Sequence, residues 1–304
     1  MKLLLKIIAS VAALTFLGGS GVSACTLWAA AGQAVSGGGT LLVKNRDWYP
    51  NHEQVLRLVR PKEGYAYFGL YADNKKYSGF KAGINEKGLV IVSASASSIP
   101  RKTRMNMTYT GAVIRHVLSH CATAEEAAVY LKTVRGPQFL MFADRQHVGS
   151  AEISPSGDNS ISIVENGTLA HTNHYHAPGL LKYNVLPGKS SHARYTRISD
   201  LLWETHRPYH LEDFLAMADD HVMGPDNSIF RTGSTKKSEA TIATWAVSIP
   251  KEGSPILSVR ILNPGKEAAF YHLSSDDVFQ GGWKDEPEKD GSLPPNGNFQ
   301  NPND

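Results

Sequence analysis

Cys25, with Thr26-Leu27-Trp28 directly after it, is the residue around which this chain can build chemistry. The residues before it read as a leader made to be removed. Lys2 and Lys6 give a basic n-region, Ile7 to Leu17 an apolar h-region, and Val22-Ser23-Ala24 a small-residue cleavage site. A cut after Ala24 makes Cys25 the first residue of the mature protein, with a thiol and a free α-amine on one residue. Such an amine titrates near ~8, against ~10.4 for a lysine. Part of it is neutral at physiological pH and can take the thiol's proton, so one residue supplies both nucleophile and base. The same Val22-Ser23-Ala24-Cys25 also fits a lipoprotein signal, in which Cys25 is acylated and anchors the chain. The leader by itself leaves catalysis and lipidation open.

The rest of the chain must position that thiol. Without residues 1–24, about 280 of the 304 residues remain, enough for one large domain or two small ones. The apolar fraction of 41% is ordinary for a globular protein. The formal charge of +3 is small and no basic run reaches five residues, so nucleic acid is not an expected partner. No later stretch approaches ~18 consecutive apolar residues, and the mature protein is expected to lack a transmembrane segment. It is expected to be exported, periplasmic or secreted, or else lipid-anchored at the membrane surface. Of the two cysteines, Cys25 and Cys121, export would permit a disulfide. A nucleophile must stay free, however, so both thiols are expected unpaired, with Cys121 a small core residue in a helical stretch.

Residues 26–34 read as a buried strand, Ser36-Gly37-Gly38-Gly39 as a turn and Thr40 to Lys44 as strand, so Cys25 heads a hairpin. Further strands are expected at 55–59, 65–71, 89–92, 139–142, 150–153, 160–164, 169–172, 241–247, 256–261 and 268–272, with Asn85-Glu86-Lys87-Gly88 a turn. Helical apolar spacing covers 110–120, a second helix starts at Thr123, where Thr123 and Glu126 form a capping-box pattern, and 194–219 reads as mostly helical. From Gly281 on, Pro, Gly, Asn and Asp dominate, giving a domain over 25–280 and a flexible polar tail over 281–304. This order of strands and helices, with short strand links, gives an α+β fold, largely antiparallel.

Four segments follow Cys25-Thr26 in a telling order: Lys44-Asn45-Arg46-Asp47-Trp48, Gly83-Ile84-Asn85-Glu86-Lys87-Gly88-Leu89, His171-Thr172-Asn173-His174-Tyr175 and Ser191-His192-Ala193-Arg194. Together they resemble the N-terminal-nucleophile hydrolases with cysteine. The choloylglycine hydrolase group (bile salt hydrolases and penicillin V acylases) and the isopenicillin N acyltransferase-like group, with its N-acylethanolamine and ceramide amidase relatives, are both similar. The resemblance implies a four-layer αββα sandwich with two mainly antiparallel sheets. It implies hydrolysis of a linear amide in a small N-acyl substrate through a Cys25 thioester, with no metal or organic cofactor. Penicillin V, bile salts, acyl-homoserine lactones and other N-acyl amines stay open as substrates, and so does an oligomer. Acyl transfer to another nucleophile is one alternative; a lipid-anchored, non-catalytic binding protein is the other.

The resemblance also assigns roles. Asp47 corresponds to the carboxylate near the nucleophile, able to hold the α-ammonium; its alternative is a strand-end turn. Asn173 corresponds to the asparagine whose side-chain amide stabilises the oxyanion, a contribution of ~3–4 kcal/mol to the transition state. Ser95 stands where the choloylglycine group has a second asparagine donor, so only its backbone N–H remains for that task. Arg194 corresponds to the arginine near the nucleophile, or is a helix-surface residue. Lys44 stands where arginine is usual. A cation there favours thiolate, but lysine lacks the planar fork. Arg46 shares its strand face, and either can serve. His171, His174 and His176 invite a zinc reading, but only two share a strand face and no third ligand follows, so no metal is expected. Tyr65, Tyr67, Phe68, Tyr71 and Tyr77 are either an acyl-pocket wall or strand core.

Overall fold

The computed structural model describes residues 24–73, 79–105 and 109–283. The expected leader up to Ser23, Tyr77 and the tail from 284 lie outside the described residues. The strands are β1 (Cys25–Ala31), β2 (Thr40–Trp48), β3 (Glu53–Val59), β4 (Tyr67–Asp73), β5 (Gly79–Asn85), β6 (Val90–Ala94), β7 (Gln138–Ala143), β8 (Val148–Ile153), β9 (Asn159–Val164), β10 (Gly167–His171), β11 (Ala240–Ile249), β12 (Ile256–Ile261) and β13 (Ala269–Ser274). The helices are α1 (Arg101–Met105), α2 (Thr110–His120), α3 (Ala124–Leu131), α4 (Lys189–Glu204), α5 (Leu211–Ala218) and α6 (Ser275–Gln280). One sheet runs β10-β1-β2-β11-β12-β13 and the other β3-β4-β5-β6-β7-β8-β9, with antiparallel pairing throughout.

Strand alternation sorts the apolar residues into three layers of core. Leu27, Ala29, Leu42 and Trp245 of the first sheet meet Phe68, Leu70, Ile84, Val90 and Met141 of the second between the sheets. The intervening residues point outward. Trp28, Val43 and Ala246 pack under Ile198, Leu202 and Phe214 of α4 and α5. Tyr67, Phe80, Ile91 and Phe142 pack under Val113, Val117, Leu118 and Leu131 of α2 and α3. Burying each such large side chain contributes roughly 1.5–3 kcal/mol. The result is the four-layer αββα sandwich. Strands buried on both faces are why β1 and β6 read as continuous apolar runs rather than alternating ones.

Local chemistry fixes the joins. Thr123 caps α3 by accepting from Glu126 N at 3.2 Å, while the Glu126 carboxylate reaches back to Ala122 N rather than to Thr123 N. The Asn85–Leu89 turn needs Gly88 at φ 86°. Asn85 Oδ1 accepts from Lys87 N and Leu89 N, and its amide donates to Leu118 O and Cys121 O, tying the turn to the end of α2. The expected helix over 194–219 is two helices: α4 starts at Lys189, and the stretch holding Pro208 separates it from α5. Helix α6 and the packing of Trp283 against Phe68 (ring centroids 4.8 Å apart) extend ordered structure just past residue 280.

Candidate active site

Cys25 opens β1 opposite Arg46 of β2 in the antiparallel register, and its side chain faces the inter-sheet core at 2% exposure. Lys44 and Arg46 share its face by the two-residue period, as the sequence suggests. The structure separates their roles. Lys44 Nζ, buried, donates to Ser93 O and stands in hydrogen-bonding contact with the Cys25 side chain. Burial pushes its pKa down, and the thiol beside it works in the opposite direction. Arg46 sends Nε to Gln54 Oε1 at 2.6 Å and lays its guanidinium over Trp48. It acts on the thiol only through its field. Lys44 is therefore the cation at the sulfur. Lys81 of β5, in the facing sheet and partly buried, adds a third basic group whose charge acts with those of Lys44 and Arg46. Burial, then the fields of Arg46 and Lys44, bring its pKa down to about 7. It is easily passed over in sequence because one lysine in an apolar strand looks like a solvent-facing charge.

Asn173 and Arg194 meet at the backbone of Cys25. Cys25 N donates to Asn173 Oδ1 at 2.9 Å, and Arg194 Nη2 donates to the same oxygen at 2.9 Å. Arg194 Nη1 donates to Cys25 O at 2.6 Å and to Thr26 Oγ1 at 2.9 Å. Arg194 is 1% exposed, so it is no surface residue. Burial lowers its pKa to about 10, and Asp47 counters that. Asn173 Nδ2 donates to Ser95 O at 2.9 Å. An amide has two such hydrogens, which leaves one for an oxyanion. Ser95 thus enters the site with its carbonyl oxygen, which holds the Asn173 amide in place. Asn173 N donates to Ser191 Oγ at 2.8 Å, and Thr172 and His174 bond the same hydroxyl. The start of α4 thereby locks Asn173 and Arg194 as one unit.

Asp47 lies on the opposite face of β2, toward α4 and α5. Its N–H donates to Ala24 O at 3.1 Å, and its carboxylate is fully buried, with Oδ1 accepting from Thr241 Oγ1 at 2.8 Å. Burial raises its pKa, opposed by Arg231 and then Arg194. Arg231 and Glu239, not singled out by sequence reasoning, complete this side. Arg231 Nη1 stands 3.8 Å from Asp47 Oδ2 and donates to Glu239 Oε2 at 2.9 Å. Burial works against the charge of Arg231, and Asp47 and Glu239 outweigh it, raising its pKa. A cavity of about 430 Å³ opens here, lined by Ala24, Ser191, Arg194, Arg231 and Glu239 among others.

The three histidines pack rather than converge on an ion. His174 packs between His192 and His176 at centroid distances of 3.7 and 4.1 Å with its ring tilted to both, and His176 stacks on Tyr195 at 3.8 Å. His171 Nε2 bonds Glu152 Oε1 at 3.1 Å. Glu152 also accepts from His176 N and Ala177 N. Burial followed by neighbouring histidines lowers both His174 and His176 to about 3. Among the described residues, one group offers donors close enough to share an ion: Glu125, Asp144 and His147. Asp144 there already accepts from Ala124 N, Gln146 N and His147 N. Of the two readings for the aromatics, strand core holds for Tyr67, Phe68 and Tyr71. Tyr67 and Tyr71 stack on Phe80 under α2, on the side of the second sheet away from the thiol, because strand alternation sends odd positions of β4 outward. Phe68 sits in the inter-sheet core, and Tyr65 faces Lys87. Both cysteines are free, with Cys121 in the α2 core and its pKa raised to about 11 by burial.

The two antiparallel sheets flanked by helices, with Cys25 at the head of a central strand, agree with the αββα sandwich that the resemblance implies. The model of the acyl-coenzyme A:6-aminopenicillanic acid acyl-transferase family matches residues 35–257, and the chain belongs to that family. Solved structures of two variants of the conjugated bile acid hydrolase from Clostridium perfringens have the same fold. Their TM-scores are 0.52 and 0.51, with 16% identity over 83% of this chain and 93% of theirs. No curated protein matches in sequence. Among the described residues no helix is long and apolar enough to cross a membrane.

Proposed function

We propose that the mature protein begins at Cys25 and cleaves a linear amide in a small N-acyl substrate through a thioester on Cys25. The observation that carries this reading is the set of bonds at one residue. Asn173 and Arg194 hold the backbone of Cys25 while Lys44 contacts its side chain. Once the leader is gone, Cys25 N is an amine held by Asn173 Oδ1, beside its own thiol. The amine takes the thiol proton, and sulfur attacks the amide carbon. The oxyanion takes the second Nδ2 hydrogen of Asn173 and a backbone N–H near Ser95. The ammonium gives its proton to the departing amine, and water then opens the thioester. Lys44 and Arg46 offset negative charge at sulfur, and Asp47 balances the ammonium from the other strand face. None of these steps asks for a metal or organic cofactor. The protein is exported, and Cys25 carries no lipid anchor, so its amine stays free.

Acyl transfer is the second reading, favoured by the family whose model the chain matches. An amine then replaces water at the thioester. The test is a panel of N-acyl amides with the mature protein, wild type beside Cys25→Ser, with and without an added acceptor amine. Turnover lost in Cys25→Ser supports the thioester route, and full activity in that variant contradicts it. Product that partitions to the added amine favours transfer.

A further inference from the structure

Two buried carboxylates share one guanidinium on the amino side of Cys25. Asp47 Oδ2, Glu239 Oε1 and Arg231 Nε are all buried without a hydrogen-bond partner. Arg231 Nη1 bridges them, 2.9 Å from Glu239 Oε2 and 3.8 Å from Asp47 Oδ2. Arg231 and Glu239 line the same cavity as Ala24, whose carbonyl oxygen accepts from Asp47 N. Loss of the leader replaces that carbonyl with the hydrogens of a new α-amine.

We infer that Glu239 is a positioning residue for the N-terminal amine: through Arg231 it balances the charge of Asp47 and sets the pH at which the α-amine of Cys25 works as a base. The inference rests on the reading of Cys25 as the mature N-terminus. Arg231 and Arg194 balance the two carboxylates when both are ionised, so losing the charge of Glu239 leaves a net positive surrounding for the α-amine of Cys25. An ionised Glu239 favours the ammonium, and a protonated one favours the free amine that catalysis needs. Besides Arg231 and Asp47, Arg194 acts on Glu239 through its charge, and Glu239 in turn acts on Arg46, Tyr49 and Arg104. Lys189, Lys237 and Asp226 line the cavity in front of it. Burial, offset in part by Arg231, brings the Glu239 carboxyl up to about 7, close to the ~7.7–8.0 of an ordinary α-amine.

The test uses mature protein whose N-terminal sequence has been read. The titration of the α-amine is followed by the nitrogen-15 shift of cysteine-labelled protein, and the acid limb of kcat/KM on an N-acyl amide is measured in parallel. Glu239→Gln keeps an acceptor for Arg231 and removes the charge. Its amine midpoint and acid limb should fall together by at least about 0.5 unit. Glu239→Asp, which keeps the charge, should stay near wild type. An unchanged midpoint in folded Glu239→Gln overturns the inference, and so does an equal fall in Glu239→Asp. A mature chain that starts elsewhere than Cys25 overturns the underlying reading and this inference with it, and the sequencing step shows which has failed.

Discussion

Asn173→Asp separates holding the nucleophile from stabilising the transition state. Asn173 uses Oδ1 to accept from Cys25 N and Arg194 Nη2, and Nδ2 to donate to Ser95 O. Aspartate keeps the acceptor and removes both amide hydrogens. The cost in the folded state is the lost bond to Ser95 and two oxygens facing each other, roughly 1–3 kcal/mol, offset in part by the new charge beside Arg194. The cost in catalysis is one oxyanion donor, roughly 2.7–4 kcal/mol, or about 10²–10³ in kcat. KM should change little, because the oxyanion exists only in the transition state. The assay is kcat and KM on an N-acyl amide, with single labelling of Cys25 by a thiol reagent showing that the site is still assembled. A labelled, folded variant within about tenfold of wild-type kcat would refute the assignment of the donor.

Arg194→Lys should be far from conservative. Its two Nη atoms make three bonds, to Cys25 O, Thr26 Oγ1 and Asn173 Oδ1, and an ammonium cannot span them. A loss of roughly 2–4 kcal/mol in a urea-unfolding experiment is expected, with turnover falling alongside, and wild-type values of both would contradict the geometry. The histidine stack should make the protein acid-sensitive. His174 and His176 titrate near 3 when folded and near 6.5 when unfolded. The unfolded chain thus binds more protons below that upper value, and stability is lost as pH falls from 6.5 toward 3. The slope is at most roughly 1.4 kcal/mol per pH unit for each histidine, and less for the more exposed His176. Urea midpoints at neutral and mildly acid pH, wild type beside His176→Gln, measure this. Equal acid sensitivity in both would place its origin elsewhere.

Much of the site was legible because its parts carry local signals. The expected leader, with its cleavage pattern at Val22-Ser23-Ala24, points to Cys25, and the two-residue period puts Lys44 and Arg46 on its face. The segments around Asn173 and Arg194 keep a recognisable order. The same period, applied to β2, also sends Asp47 to the opposite face from the thiol, a consequence that only the packing of α4 and α5 makes meaningful. Arg231 and Glu239 had no such signal. Both precede β11, and Arg231, with Glu239 bound to it, comes to Asp47 where Thr241 pairs with Asp47 ahead of a bulge in the β2–β11 register. His192 joins His174 across the start of α4 for the same reason: the contact is tertiary. The aromatics of β4 show the opposite case. Their composition suggests a pocket, but strand parity sets Tyr67 and Tyr71 under α2.

The claim that carries the rest is that Cys25, as the first residue, becomes acylated on sulfur during turnover. The direct measurement mixes mature protein with an N-acyl amide, quenches in acid and sequences the N-terminal peptide by mass spectrometry. The expected result is a peptide beginning at Cys25 that carries the acyl group of the substrate on sulfur and loses it to hydroxylamine. A peptide beginning elsewhere, an amine already blocked by lipid, or an active enzyme acylated at another residue would contradict it.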